Sequence, residues 1–129
     1  MMVPVTEDRD SGPFFQAALD KRLVFRACND CDRGIHPPVP YCPYCGGEGV
    51  WRDASGRGRL TGYTVVTHQV HPDYPTPYTI LVVELEDSPD VRLVGRIDGA
   101  AEYAIGTSME VCFELIGEGV VLPNWRPAS

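Results

Sequence analysis

The chain has 129 residues, of which 43% are apolar, 11 are Lys or Arg and 18 are Asp or Glu, for a formal net charge of −7. That length fits one domain or two small ones with a real core, and the acidic balance argues against non-specific nucleic-acid binding. No apolar run reaches the roughly 18 residues of a membrane span. Glu7, Asp8, Arg9 and Asp10 stand where a signal peptide needs an apolar stretch, so a cytoplasmic location without membrane contact is expected.

The charge is unevenly spread. Residues 21–59 carry seven bases against four acids, whereas residues 60–129 carry three against ten. Lys21, Arg22, Arg26, Arg33, Arg52, Arg57 and Arg59 form a basic island that is a candidate seat for a phosphate-bearing ligand. The plainer reading is that they balance the acidic remainder on a solvated surface.

Residues 1–10 lack apolar periodicity and read as a flexible lead-in. Ser11-Gly12-Pro13 then marks a helix start, and a short helix is expected over Pro13–Lys21. Phe14, Phe15, Ala18 and Leu19 fall on one of its faces. Too short to stand alone, this helix must dock, on its own core or on a partner.

Leu23–Ala27 reads as a strand delivering Cys28-Asn29-Asp30-Cys31, and ten residues later comes Cys42-Pro43-Tyr44-Cys45. A two-residue gap lets one tight turn aim both sulfurs at one ion, and two such pairs supply the four soft ligands of tetrahedral zinc. Cys28, Cys31, Cys42 and Cys45 are therefore expected to hold a structural Zn²⁺. Four thiolates leave no open position for a metal-bound water, so the ion holds the fold and does no chemistry. Four sulfurs and one divalent ion would take the net charge to −9. His36 can in principle replace a cysteine, but with four correctly spaced cysteines it reads as a surface or supporting residue. Val50–Asp53 is the strand that leaves the second knuckle.

From Gly58 onward long β-rich segments dominate: 59–68, with Gly62 a candidate bulge, then 78–85, 91–97, 109–116 and 120–125. In the fourth, Met109, Val111, Phe113 and Leu115 alternate with Glu110, Cys112, Glu114 and Ile116, which predicts one buried face. Five strands, the first long and glycine-bent, match a small barrel of the OB type. The fold class is thus mostly β: a short N-terminal helix, a rubredoxin-like zinc ribbon and a five-stranded OB-fold barrel, with divisions at 1–22, 23–56 and 57–129.

This ordered set resembles the domain-of-unknown-function 35 family, zinc-ribbon OB-fold proteins associated with acyl-CoA. The resemblance rests on the Phe14–Leu19 helix, the step Arg22-Leu23-Val24, and the Cys28-x-x-Cys31, Pro37-Pro38, Cys42-Pro43-x-Cys45-Gly46 pattern. It extends through Gly56-Arg57-Gly58, Tyr63–Val66 and Pro123. It implies an accessory subunit of a thiolase-fold enzyme: a thiolase, an acyltransferase, or an aldolase that cleaves steroid side-chain acyl-CoA. The larger subunit would own the chemistry, with acyl-CoA as ligand of the complex.

The residues agree that this is a poor enzyme alone. His36, His68 and His71 are the only ready bases near neutral pH, no standard phosphate loop is present, and Cys112 reads as a packing thiol. As a binding module it is better supplied. His71, Tyr74 and Tyr78 stand in a proline-rich loop that offers rigid aromatic surface, and Trp125 is a second anchor; both can instead pack locally. Phe14, Phe15, His71, Tyr74, Tyr78 and Trp125 are the partner-interface candidates, and Arg22, Arg26, Arg33 and Arg57 the CoA-phosphate candidates. Two alternatives stand beside this reading. One is a single-stranded nucleic-acid binder, for which the acidic barrel half has the wrong sign. The other is a stand-alone acyl-CoA carrier or thioesterase.

Overall fold

The computed structural model describes residues 3–128. A helix, α1 (Gly12–Leu19), precedes β1 (Val24–Cys28) and β2 (Gly49–Asp53), which pair as a two-stranded antiparallel sheet flanking the cysteine knuckles. Five strands follow: β3 (Arg57–Val66), β4 (Tyr78–Leu85), β5 (Arg92–Asp98), β6 (Ser108–Gly117) and β7 (Val120–Pro127). They form one antiparallel sheet in the order β5-β4-β3-β6-β7.

The helix stops two residues earlier than the sequence suggests. Lys21 adopts a left-handed φ of 57°, its N–H bonds the Ala18 carbonyl at 3.0 Å, and the Arg22 N–H bonds the Ala17 carbonyl at 3.0 Å. This is the Schellman arrangement, with a lysine where glycine is usual. Gly12, Ala17 and Ala18 are its buried residues, and Leu19 is exposed. The lead-in is tied down: one Asp8 carboxylate oxygen accepts from the Asp10 and Ser11 amides at 2.9 and 3.0 Å, and Gln16 Nε2 donates to the Thr6 carbonyl at 3.2 Å. Those amide bonds, Ser11's first, hold the Asp8 carboxyl below its usual range.

In the barrel, β4 shows clean alternation: Thr79, Leu81, Val83 and Leu85 face in. The β3 register slips between Leu60 and Gly62, so the bulge lies where the sequence indicates, and there the Thr61 hydroxyl donates to the Val82 carbonyl. β6 departs from its expected single buried face. Met109 is buried and Val111 and Phe113 are half-buried, but Leu115 is 73% exposed. The cause is topological. β3 pairs with β6 only through Arg57–Arg59, so the far half of β6 is paired with β7 alone, and Leu115 lies on an exposed part of that hairpin.

Ribbon and barrel share a core. Leu23, Phe25 and Ala27 join Leu60, Leu81, Leu93, Met109 and Trp125 in one buried cluster, while Cys28, Ile35 and Cys42 make a second, small one inside the ribbon. Gly34 touches the barrel directly: a Cβ there would stand 2.5 Å from Ser88 Oγ and 2.6 Å from a Val91 methyl.

The barrel's edge strands, β5 and β7, are joined by a side chain. The Arg96 N–H donates to Asn124 Oδ1 at 2.9 Å, and Asn124 Nδ2 donates to the Arg96 carbonyl at 2.8 Å, so one buried amide plays the part of a strand. Gly95 permits the approach, since a Cβ would lie 2.5 Å from Asn124 Oδ1. Replacing Asn124→Ala leaves both Arg96 backbone groups without this partner, and chemical denaturation should show a loss of about 3 kcal/mol. Asn124→Asp, which sets a buried carboxylate oxygen against the Arg96 carbonyl and Glu114, should cost at least as much.

Candidate functional site

The two knuckles repeat one local design. In the first, the Asp30 and Cys31 amides both donate to Cys28 Sγ at 3.4 Å, and Asp32 N–H returns to the Cys28 carbonyl at 3.0 Å. In the second, the Tyr44 amide donates to Cys42 Sγ at 3.4 Å, and Gly46 N–H returns to the Cys42 carbonyl at 2.9 Å. The residue after each pair is left-handed, Asp32 at φ 64° and Gly46 at φ 77°. Glycine meets that demand freely; aspartate tolerates it and is held by Arg52, whose Nη2 donates to Asp32 Oδ1 at 2.8 Å.

The four sulfurs converge within 4.8 Å of one another, with Cys28–Cys45 at 3.4 Å and Cys31–Cys42 at 3.7 Å. A tetrahedral zinc bound at about 2.3 Å sets its sulfurs about 3.8 Å apart, so the donor set fits the ion. Its electrostatics ask for one. Backbone N–H bonding, chiefly from Cys31, lowers the Cys28 thiol to about 7. At Cys45 the Gly47 N–H favours the thiolate, yet the contacts with Cys28 and Cys31, burial and Cys42 outweigh it and push it up to about 12. Four thiolates do not coexist here without a divalent cation to stabilise them. His36 stands apart from the cage, lining a groove, where burial lowers its pKa.

That groove, of about 580 Å³, runs between α1, the ribbon and the barrel. Phe14, Phe15, Phe25, Trp51, Tyr74 and Leu122 supply much of its wall, and Arg26, His36 and Arg92 its polar atoms. A second depression of about 470 Å³ adjoins it, sharing Tyr74, Val94, Leu122 and Pro123. Phe14 and Phe15 meet edge to face at 5.4 Å. His71, Tyr74 and Tyr78 form a ring series, with Arg96 4.8 Å above Tyr78 and 5.4 Å from Tyr74. Trp125 needs correcting as a solvent-facing anchor. Register with Val111 turns it into the core at 1% exposure, and it forms part of the groove's floor.

The four phosphate-candidate arginines are not brought together. Arg22 Nη1 donates to Asp53 Oδ1 at 2.9 Å, and Arg26 spends Nε and Nη2 on the Val39 and Pro40 carbonyls. Arg33 lies 4.2 Å over the Tyr44 ring, and Arg57 lines a separate depression beside Glu84 and Glu86. Sequence reasoning missed Trp51, Arg92, Val94, Arg96 and Leu122 as wall residues; strand alternation after buried Leu93 was the available signal for Val94. Cys112 is half-buried, and burial raises its thiol pKa. No described helix is long and apolar enough to cross a membrane.

Because β1 belongs to the shared core, losing the metal should be felt beyond the ribbon. Elemental analysis should find one zinc per chain. Chelation, or Cys42→Ser, should lower the thermal midpoint of the whole protein, followed by far-UV dichroism in a single transition rather than a local one.

Family models match two adjoining stretches: "ChsH2, rubredoxin-like zinc ribbon domain" over residues 15–50 and "ChsH2, C-terminal OB-fold domain" over 51–114. The solved "Ltp2-ChsH2(DUF35) aldolase" contains a chain 33% identical, with a TM-score of 0.85, covering 98% of this chain and 100% of that one. A Sulfolobus solfataricus DUF35 protein of unknown function, 14% identical with a TM-score of 0.59 over 77% of this chain and 74% of that one, shares the fold. A "probable enoyl-CoA hydratase alpha subunit" of Thermomonospora curvata is 36% identical over 94% of this chain, and a "DUF35 domain-containing scaffold protein" of Pyrococcus furiosus is 29% identical over 63% of it. This chain spans 38% of the first and 61% of the second, and only 27% of the Mycobacterium tuberculosis "3-oxo-4,17-pregnadiene-20-carboxyl-CoA hydratase alpha subunit", which is 31% identical over 70% of this chain. With its four-cysteine ribbon and five-stranded barrel in this order, the chain belongs to the ChsH2-type DUF35 family of zinc-ribbon OB-fold proteins.

Proposed function

We propose that this protein is a non-catalytic accessory subunit of a thiolase-fold enzyme, an aldolase, thiolase or acyltransferase, and that it helps form the acyl-CoA site of the complex. The observation that carries this reading is the end-to-end match, at 33% identity, to the DUF35 component of the Ltp2-ChsH2(DUF35) aldolase. The chain's own chemistry supports it. Four of five cysteines make the metal cage, His36 lies in the groove wall, and His71 stands in the loop before β4, its Nδ1 accepting from the Asp73 amide.

Partner contact is assigned to Phe14, Phe15, His71, Tyr74 and Tyr78, above a floor that includes Trp125. Within the complex the CoA-phosphate role falls to Arg33 and Arg57 ahead of Arg22 and Arg26, whose guanidinium groups already serve Asp53 and two carbonyls. A reduced cytoplasmic setting suits a thiolate cage.

Co-expression with the thiolase-fold proteins encoded nearby tests the proposal. One of them should co-purify as a stable heteromer, with aldolase or thiolase activity present in the complex and absent from this chain alone. A chain that by itself turns over a thioester, or binds single-stranded nucleic acid saturably at micromolar concentration, would refute it.

A further inference from the structure

The two depressions over the β5–β7 seam share four wall residues and so form one trough, reaching from α1 to the loop before β4. Three features of it go together. Val94, which lines both depressions together with Leu122 and Pro123, is an apolar β5 side chain 66% exposed. The lining holds the guanidinium groups of Arg26, Arg92 and Arg96 against one carboxylate, Glu114, which already accepts from Asn124 Nδ2 at 2.9 Å. Arg92 pairs with Glu84 at 3.7 Å and Arg96 with Asp98 at 3.2 Å, and Arg96 also lies over the Tyr74 and Tyr78 rings. In a chain with 18 acids and 11 bases this is a local reversal of sign.

The third feature is hydrogen bonding. Among the described residues, two buried side-chain nitrogens lack an acceptor, Trp125 Nε1 and Arg96 Nε, and both belong to residues lining this trough. Buried donors are nearly always satisfied, so these two mark polar sites in the trough's walls that the isolated chain leaves incomplete, although neither atom is itself exposed. The trough is half open along its outer side.

Building on the accessory-subunit reading, we infer that this trough is the docking groove for an apolar segment of the enzyme partner that carries carboxylates. Its apolar side chains cover Val94, Leu122 and the phenylalanines of α1, and its oxygens face Arg92 and Arg96. Opposite charge at such a rim sets association rate and salt dependence, while the apolar centre sets residence time.

The test uses the heteromer recovered by co-expression, with affinity and rates measured for wild type, Val94→Glu, Arg92→Glu and Ile105→Glu. Ile105 is matched to Val94 in exposure, at 63%, and lies outside the trough. Val94→Glu should weaken the complex at least tenfold through faster dissociation. Arg92→Glu should slow association and flatten its salt dependence, and Ile105→Glu should behave as wild type. If Val94→Glu and Arg92→Glu both bind as wild type, the groove assignment is wrong although the accessory role stands. If wild type forms no complex, both fall. If octanoyl-CoA instead saturably quenches Trp51 and Trp125 in the isolated chain, and Val94→Glu abolishes that quenching, the trough is a small-ligand site and the assignment is overturned.

Discussion

Everything in this molecule hangs on four sulfurs held close together by two short turns. The knuckles contain little that could order them otherwise: Ile35 and the two inner cysteines are the whole of the ribbon's private core. Their amide-to-sulfur bonds favour thiolates, and thiolates crowded within 4.8 Å repel one another unless a cation sits between them. The ion therefore fixes the turns, and the turns fix β1. Because Leu23, Phe25 and Ala27 on or beside β1 pack into the barrel, that constraint passes into a core that contains no metal ligand of its own.

The basic island illustrates how composition misleads when partners are distant. Seven cations against four acids in residues 21–59 suggested a phosphate seat. In the folded chain Arg22 meets Asp53, Arg52 meets Asp32, and Arg26 ties down the proline-rich segment between the knuckles by its carbonyls. These are exposed or half-exposed pairs whose worth in stability is small; their effect is to use up directed donors. The positive character that faces the trough lies on the barrel half, at Arg92 and Arg96, each beside a carboxylate of its own, where the overall charge is most negative.

What could be read from the sequence was what is local. Two Cys-x-x-Cys pairs specify a cage because each pair sits in one turn, and the Leu60–Gly62 slip is legible because a strand interrupted by glycine has few alternatives. Trp125 looked like an anchor near a frayed end, but its side was set by pairing with Val111, and register across strands is a long-range quantity. Leu115 followed the correct alternation and still faces solvent, because alternation says which residues share a face and not whether anything covers it. The Asn124 clasp was invisible for the same reason: it joins residues 28 apart through a side-chain amide, and nothing near Asn124 announces Arg96.

That clasp also explains why the groove lies where it does. A barrel closed by a continuous ladder would present pleated backbone along the β5–β7 seam. Here closure by one amide, with Gly95 beside it, leaves a shallow valley on either side of Val94. The helix and ribbon then build up one bank of the valley and the aromatic loop the other. Neither module alone has this surface. Ribbon residues Phe25 and Trp51, helix residues Phe14 and Phe15, and barrel residues Val94 and Leu122 meet only when the shared core is formed. The proposed docking of a partner in this groove is thereby coupled to the chain's complete folding, and through β1 to the metal cage.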